Sequence, residues 1–297
     1  MLLIVALGLG AAVLYGASDF FGASAARRHH LINATTLNYA VAMVLLIVAL
    51  PILGGTWSAT ANWAGSVAGA LAVLGLISFY GVLAIGPMSL LSPLIALVQS
   101  AVPVAVAAFT GQGLNLTAWI AIAIAVVAIL LLSPPPKLGR DHVSLRGAGL
   151  AIFSGLTLGA SLVALDFAPE NSGVIPAFWE IAVGLVILLL LLLAVRLFRG
   201  RAAWMSLLEP EVETASGLSS RRAWIEAAAA GLLAGVANIF VVTGLHVGNL
   251  AVIAVLIALY PVLTVILAAT VLKERMTPLQ FVGIGLAIGA SLLFTAS

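Results

Sequence analysis

Apolar residues run through this chain in long stretches, and the polar positions that break them are few and clustered. Windows such as Ile120–Leu132 with its flanks, and Ala182–Val195, carry no charge. A bilayer core is roughly 30 Å thick, so a spanning helix needs about 20 mostly apolar residues. Taking each run and each break in turn predicts ten membrane helices. They cover 2–25, 33–53, 64–85, 88–110 and 116–133, then 147–168, 174–195, 224–245, 249–271 and 278–296. The breaks have turn chemistry: Gly54-Gly55, Gly111-Gln112-Gly113, and the run Pro134-Pro135-Pro136. One longer polar stretch, 197–223, holds Glu209, Glu211, Glu213, Arg221 and Arg222, and reads as a surface loop. The alternating pattern of a membrane β-barrel is missing. The fold class expected is an all-α membrane protein.

The runs also repeat. Leu94-Ile95-Ala96-Leu97 returns as Leu256-Ile257-Ala258-Leu259, 162 positions later. At that offset Gly69 matches Gly231, Ile77 matches Ile239, Gly86 matches Gly248, and Ala128-Leu130-Leu131 matches Ala290-Leu292-Leu293. Gly16-Ala17-Ser18 matches Gly159-Ala160-Ser161 at a slightly smaller offset. This divides the chain into a first five-helix unit, 1–133, a linker, 134–146, and a second five-helix unit, 147–297. The first apolar run lacks a basic leader and is too long for a signal-peptide core. Its echo in the second half makes it a retained first helix.

Charge adds orientation. Apolar residues make up 63% of the chain and charged residues 7%, against about 25% charged in soluble domains. With ten helices, all twelve Lys and Arg fall on one side. They are Arg27 and Arg28; Lys137, Arg140 and Arg146; Arg196, Arg199, Arg201, Arg221 and Arg222; Lys273 and Arg275. Basic short loops stay in the cytoplasm, so both termini are expected outside a plasma membrane of the bacterial inner type. Five helices per unit is odd, so the second unit inserts upside down. Inverted repeats place a substrate site near the midplane, at the repeat interface. Cysteine is absent, which removes disulfides, thiolate metal sites and a cysteine nucleophile.

Three short stretches resemble a known family. They are Leu14-Tyr15-Gly16-Ala17-Ser18-Asp19-Phe20 in helix 1; Lys273-Glu274-Arg275-Met276-Thr277-Pro278-Leu279-Gln280 with Gly283, before and into helix 10; and Gly111-Gln112-Gly113-Leu114-Asn115 in the equivalent place of the first half. Together with the ten-helix layout they resemble the drug/metabolite transporter superfamily, in its EamA-type branch. Gln112 stands where that family usually has Glu. The resemblance implies export or exchange of small metabolites and names none.

Charge inside a bilayer is costly, so each buried ionisable group needs a reason. Asp19 lies eight residues before Arg27, about 12 Å up the helix, with Tyr15 one turn away on the same face. It could take up a proton or pair with a substrate amine; equally, backbone or a neighbouring Asn could satisfy it. Glu180, beside Trp179, lies a few residues inside helix 7, near enough to the outer end to reach water. Inversion sets it at a depth mirroring Asn38 in helix 2. Asp166 and Glu170 belong to the outer mouth. Ser92, Gln99 and Pro103 share one stripe of helix 4, and Tyr260, Pro261 and Thr264 form a comparable group in helix 9. Prolines free backbone carbonyls, tolerated where a cavity or a neighbouring helix satisfies them. Ser78 and Tyr80 in helix 3 and Asn238 in helix 8 complete the candidates, with helix–helix glue as the competing role. The pairs Gly65–Gly69, Gly155–Gly159, Gly231–Gly235, Gly244–Gly248 and Gly285–Gly289 have the spacing of close helix contacts. His29, His30 and His246 sit at the interfaces.

No zinc-protease, serine-hydrolase or nucleotide-loop motif occurs. No enzyme activity, metal, cofactor or nucleic-acid partner is expected. The function expected is secondary transport of small metabolites, with amino acids or amphipathic compounds foremost, by alternating access. Proton coupling would run through Asp19 or Glu180, in a monomer or homodimer. A lipid-carrier or polyamine flippase is the alternative; a scaffold or receptor subunit that moves nothing is another. The orientation has a direct test, because the native chain has no cysteine to interfere. Thr60→Cys should react with a membrane-impermeant maleimide on intact cells, and Ser206→Cys only after permeabilisation. The reverse pattern would invert the topology.

Overall fold

The apolar runs fold as helices, and the polar residues that separate them hold the helix ends. The computed structural model describes residues 1–28, 31–85, 88–111, 114–132, 145–197, 217–271 and 276–295. The helices are α1 (Leu2–Arg28), α2 (Leu31–Leu53), α3 (Ala59–Ile85), α4 (Met88–Phe109), α5 (Leu116–Leu132), α6 (Leu145–Asp166), α7 (Ile175–Leu197), α8 (Gly217–Val247), α9 (Leu250–Ile257), α10 (Tyr260–Val271) and α11 (Pro278–Thr295). A 3₁₀ turn, Glu170–Ser172, precedes α7. No strand occurs among the described residues.

Start signals are local. Ser58 Oγ accepts from Ala61 N at 3.1 Å, Asn115 Oδ1 from Ala118 N at 2.8 Å, and Asn249 Oδ1 from Ala251 N at 2.9 Å. Each satisfies one of the amides that a helix start leaves without a partner. Thr277-Pro278-Leu279-Gln280 forms a reciprocal cap: Gln280 N donates to Thr277 Oγ1 at 3.4 Å, and Thr277 N donates to Gln280 Oε1 at 2.9 Å. Pro278 takes the first helical position, where a missing N–H costs nothing. Gln280 Nε2 then donates to Leu132 O at 3.1 Å, occupying a terminal carbonyl of α5.

Among the described residues, eight helices are long and apolar enough to cross a membrane; Leu116–Leu132 and Leu250–Thr264 are shorter apolar helices. The outer surface is apolar as well. Val44, Ile47 and Val48 on α2, Leu189, Leu190 and Leu193 on α7, and Phe281, Val282, Ile288 and Leu292 on α11 are all exposed. Soluble monomers rarely expose contiguous apolar faces of this kind. The chain is a multi-pass helical membrane protein.

Two expectations are corrected. The run 249–271 is two helices, α9 and α10, broken at Ala258-Leu259. Pro261 has no N–H, so Ile257 O loses its helical donor. The chain there tightens instead: Leu259 N reaches Leu256 O at 3.2 Å, and Val262 N reaches Leu259 O at 3.0 Å. Pro93 and Pro103 leave α4 in one piece. Second, α8 begins at Gly217, so Arg221 and Arg222 are helical and belong to no loop. The helix buries Glu226 one turn on, where Arg222 Nε donates to it at 2.9 Å and Arg28 Nε lies 3.9 Å away. His29, His30, Gln112, Lys137, Arg140, Arg199, Arg201, Glu209, Glu211, Glu213, Lys273, Glu274 and Arg275 lie outside the described residues.

The helices pack in matched pairs. α1 runs antiparallel along α8, and α6 runs antiparallel along α3. α2 lies beside α8 as α7 lies beside α3. α1 follows α9 and α10 as α6 follows α4, and α5 pairs with α11. The contacts repeat in atomic detail. Ser18 Oγ donates to Ala230 O at 2.9 Å, and Ser161 Oγ to Ala68 O at 3.0 Å. A Cβ on Gly231 would stand 2.2 Å from Asn38 O; one on Gly69 would stand 2.3 Å from Glu180 O. Gly16 presses on Tyr260 O and Gly159 on Gln99 O in the same way. Gly285 and Gly289 meet nothing within 4 Å, so the contact expected of that pair is not made among the described residues.

At the end away from Arg28, the α2–α3 connection is clasped to the α6–α7 connection. Thr56 N donates to Asn171 O at 2.9 Å, and Val174 N to Gly54 O at 3.3 Å. Gly54, Gly55 and Gly173 have φ of 68°, 141° and 54°, a region that side chains disfavour. Trp57, Phe178 and Trp179 stack edge to face beside this clasp, with centroids 5.9–6.5 Å apart.

Gly231→Val should overpack the α2–α8 crossing, costing about 1–3 kcal/mol and lowering the melting temperature in detergent by several degrees. Gly285→Val should leave it unchanged. Equal stability of the two variants would contradict the close contact.

Candidate functional site

The matched crossings leave a gap at the centre of the bundle. It is a cavity of about 100 Å³, and a water needs roughly 10–15 Å³ of such space, so several waters or one small ligand fit. α1 contributes Tyr15, Ser18 and Asp19; α2, Asn38 and Tyr39; α3, Ala72, Leu76, Phe79 and Tyr80; α4, Gln99. α6 contributes Leu158, Ser161 and Leu162; α7, Glu180 and Ile181; α8, Ala234 and Asn238; α9, Ile257; and α10, Tyr260. All four tyrosines of the chain are among them.

Local structure explains why these side chains converge. Ser18 binds the α8 backbone, which turns the next residue, Asp19, to the cavity. Ser161 binds the α3 backbone and lies 3.5 Å from Glu180 Oε1. Glu180 is in turn held by its own backbone against Gly69. The break before Pro261 delivers Tyr260 to the wall, and its hydroxyl donates to Ser92 O at 3.3 Å across to α4. Tyr15 OH makes a short hydrogen bond to Asn238 Oδ1, joining α1 to α8. Asn38 Nδ2 donates to Tyr80 OH at 3.5 Å.

Asp19 stands apart from this network, and Glu180 joins it through one oxygen, Oε1, which accepts from Ser161 Oγ at 3.5 Å. Asp19 is 9% exposed and Glu180 6%. Among the described residues Asp19 makes no hydrogen bond or ion pair, and Glu180 Oε2 has no partner. Glu226 shows the alternative: it is equally buried, with Arg222 and Arg28 against it. A buried carboxyl without a partner is expensive, and such groups in membrane proteins mark ion or substrate paths.

Of the ten residues expected here, Asp19, Tyr15, Asn38, Tyr80, Gln99, Glu180, Asn238 and Tyr260 line the cavity. Ser92 and Trp179 do not. Ser92 offers its carbonyl to Tyr260 while its hydroxyl is buried without a partner, and Trp179 belongs to the aromatic cluster beside the clasp. Glu180, expected within reach of water, is buried because α3 lies against it through Gly69. Sequence reasoning does not single out Ser18, Ser161, Tyr39 or Phe79 as lining residues. The repeat carries a signal for the serines, since Ser18 and Ser161 occupy matched positions; Tyr39 adjoins Asn38 and has no signal of its own.

Repeat-matched positions line the cavity on both sides. Ser18 faces Ser161, Ala72 matches Ala234, Asn38 matches Glu180, and Asp19 matches Leu162. No group of three or more His, Asp or Glu able to hold a metal occurs among the described residues.

Apolar helices around a small cavity that holds two buried acids without a cationic partner among the described residues fit a membrane protein of the transporter class. The family model of the EamA-like transporter family matches residues 145–296, α6 to α11, and the chain belongs to that family. Twenty-seven solved chains match the fold. One, a crystal structure of a protein, is similar over 98% of this chain and 98% of its own, with a TM-score of 0.66 at 16% identity. No curated protein matches the sequence.

Because Asp19 has no partner among the described residues and Glu180 has only the long hydrogen bond from Ser161, which an amide oxygen can also accept, Asp19→Asn and Glu180→Gln should keep or raise the melting temperature in detergent. A fall of several degrees in both would assign them to structure.

Proposed function

We propose that this protein is a secondary transporter that exports or exchanges small metabolites by alternating access. Its two inverted five-helix repeats, 1–133 and 147–297, are joined by the linker 134–146. In this reading all ten apolar segments span a plasma membrane, with the basic loops inside and both termini outside. The observation that carries it is the pair of buried carboxyls, neither with a cationic partner among the described residues, on a central cavity built from both halves. A scaffold would be expected to pair Asp19 or to fill the space around it.

The matched packing supports rocking as the motion. Each close crossing joins a helix of one repeat to a helix of the other, through glycine and serine rather than interlocked large side chains. The clasp between residues 54–56 and 171–174 joins the two repeats at the end away from Arg28. Asp19 and Glu180 are the residues proposed to exchange protons with the aqueous phases, and Tyr15, Asn38, Tyr80, Gln99, Asn238 and Tyr260 to line the substrate path. One chain encloses the cavity, so a monomer suffices.

The test is flux in proteoliposomes under an imposed pH gradient, with substrates first found by a metabolite panel in inverted vesicles. Wild-type flux should follow the gradient, and Asp19→Asn or Glu180→Gln should largely remove that dependence. Unchanged dependence in both variants would sink the proton-coupling reading.

A further inference from the structure

Resting on the transporter reading above, we infer that the cavity takes a substrate carrying an ammonium or quaternary ammonium group and no carboxylate. Charge balance is the first observation. Asp19 enters from α1 and Glu180 from α7; among the described residues the walls from α2, α3, α4, α6, α8, α9 and α10 add no Lys, Arg, His or further acid. A carboxylate would meet two acids and, among the described residues, no cation to offset its lost hydration. A cation supplies the charge that both acids lack.

The aromatic wall is the second. Phe79 stands 5.5 Å from Tyr80 and 6.3 Å from Tyr260, centroid to centroid. Tyr39, Tyr80 and Tyr260 line the same cavity as Asp19 and Glu180. Aromatic rings attract cations through their negative faces. Third, two of the four tyrosine hydroxyl protons are committed. Tyr15 gives its proton to Asn238, and Tyr260 gives its proton to Ser92 O. These two tyrosines offer rings to a ligand, not donors, which suits an ammonium better than a carboxylate.

The experiment uses purified full-length protein and a graded series of alkyl and arylalkyl amines, each with its alcohol and carboxylate isostere, plus tetraalkylammonium salts. Binding is read as a rise in melting temperature, since a ligand that binds only the folded state stabilises it; flux is read in proteoliposomes. Amines or ammonium salts should bind and move, and their isosteres should not. Tyr260→Phe should keep amine affinity, while Tyr260→Leu should lose roughly 2- to 30-fold. Asp19→Asn should lose binding without losing ligand-free stability. Alcohols or carboxylates that bind and move as well as their amines would overturn the substrate class and leave transport standing. So would flux of panel metabolites without flux of any amine. Absence of flux for the amine series and for the metabolite panel alike would remove the transporter reading, and this inference with it.

Discussion

In hydrocarbon, helices gain little by hiding apolar side chains from one another, so they associate through close backbone approach and a few interhelical hydrogen bonds. In this protein that constraint is met by two matched crossings. Gly231 lies on Asn38 and Gly69 on Glu180, while Ser18 and Ser161 reach backbone carbonyls of the helices they cross. The crossings do more than hold the bundle together. Asp19 follows Ser18, and Glu180 is the residue whose backbone Gly69 touches. The same contacts that bring the helices together therefore aim the two acids.

The frame of the cavity is duplicated, and its chemistry is not. Ser18 and Ser161, and Ala72 and Ala234, are alike on both sides. Tyr15 stands opposite its counterpart Leu158, Asp19 opposite Leu162, Tyr39 opposite Ile181, and Asn238 opposite Leu76. Small residues stay small because backbones meet there, so a larger side chain on either half would part the helices. The lining positions carry no such requirement and are free to differ. That freedom allows each half to set a polar or aromatic side chain where the other has an aliphatic one. The EamA signature is explained in the same terms. Thr277-Pro278-Leu279-Gln280 starts α11 with a reciprocal cap and fastens it to the end of α5, so it stabilises architecture at a distance from the cavity.

Much of the fold is legible in the order of residues along the chain. The apolar runs locate the helices to within a few residues, because a bilayer admits little else of that length and hydropathy. The cost of charge in hydrocarbon singles out Asp19 and Glu180. The proline-containing segment near Tyr260 is legible as a disturbance, but its outcome is not: Pro261 breaks one helix while Pro93 and Pro103 leave another whole. A missing N–H only permits a break, and the surrounding packing decides whether one occurs. Ser92 and Trp179 fall outside the cavity for a related reason. Helical spacing gives a face, and a face can serve the cavity, a partner helix or the aromatic cluster at a bundle end.

By itself, then, the sequence determined a multi-pass helical membrane protein, with an echo of residues between its halves, and the identity of its costly acids. These follow from local hydrophobicity, turn chemistry and charge, which act along the chain. Only the tertiary structure decided that Asp19 has no partner among the described residues while Glu226 has two arginines, and that all four tyrosines meet in one cavity. Those outcomes depend on which helices lie side by side. That is set by contacts between residues distant in the chain, which local pattern does not encode.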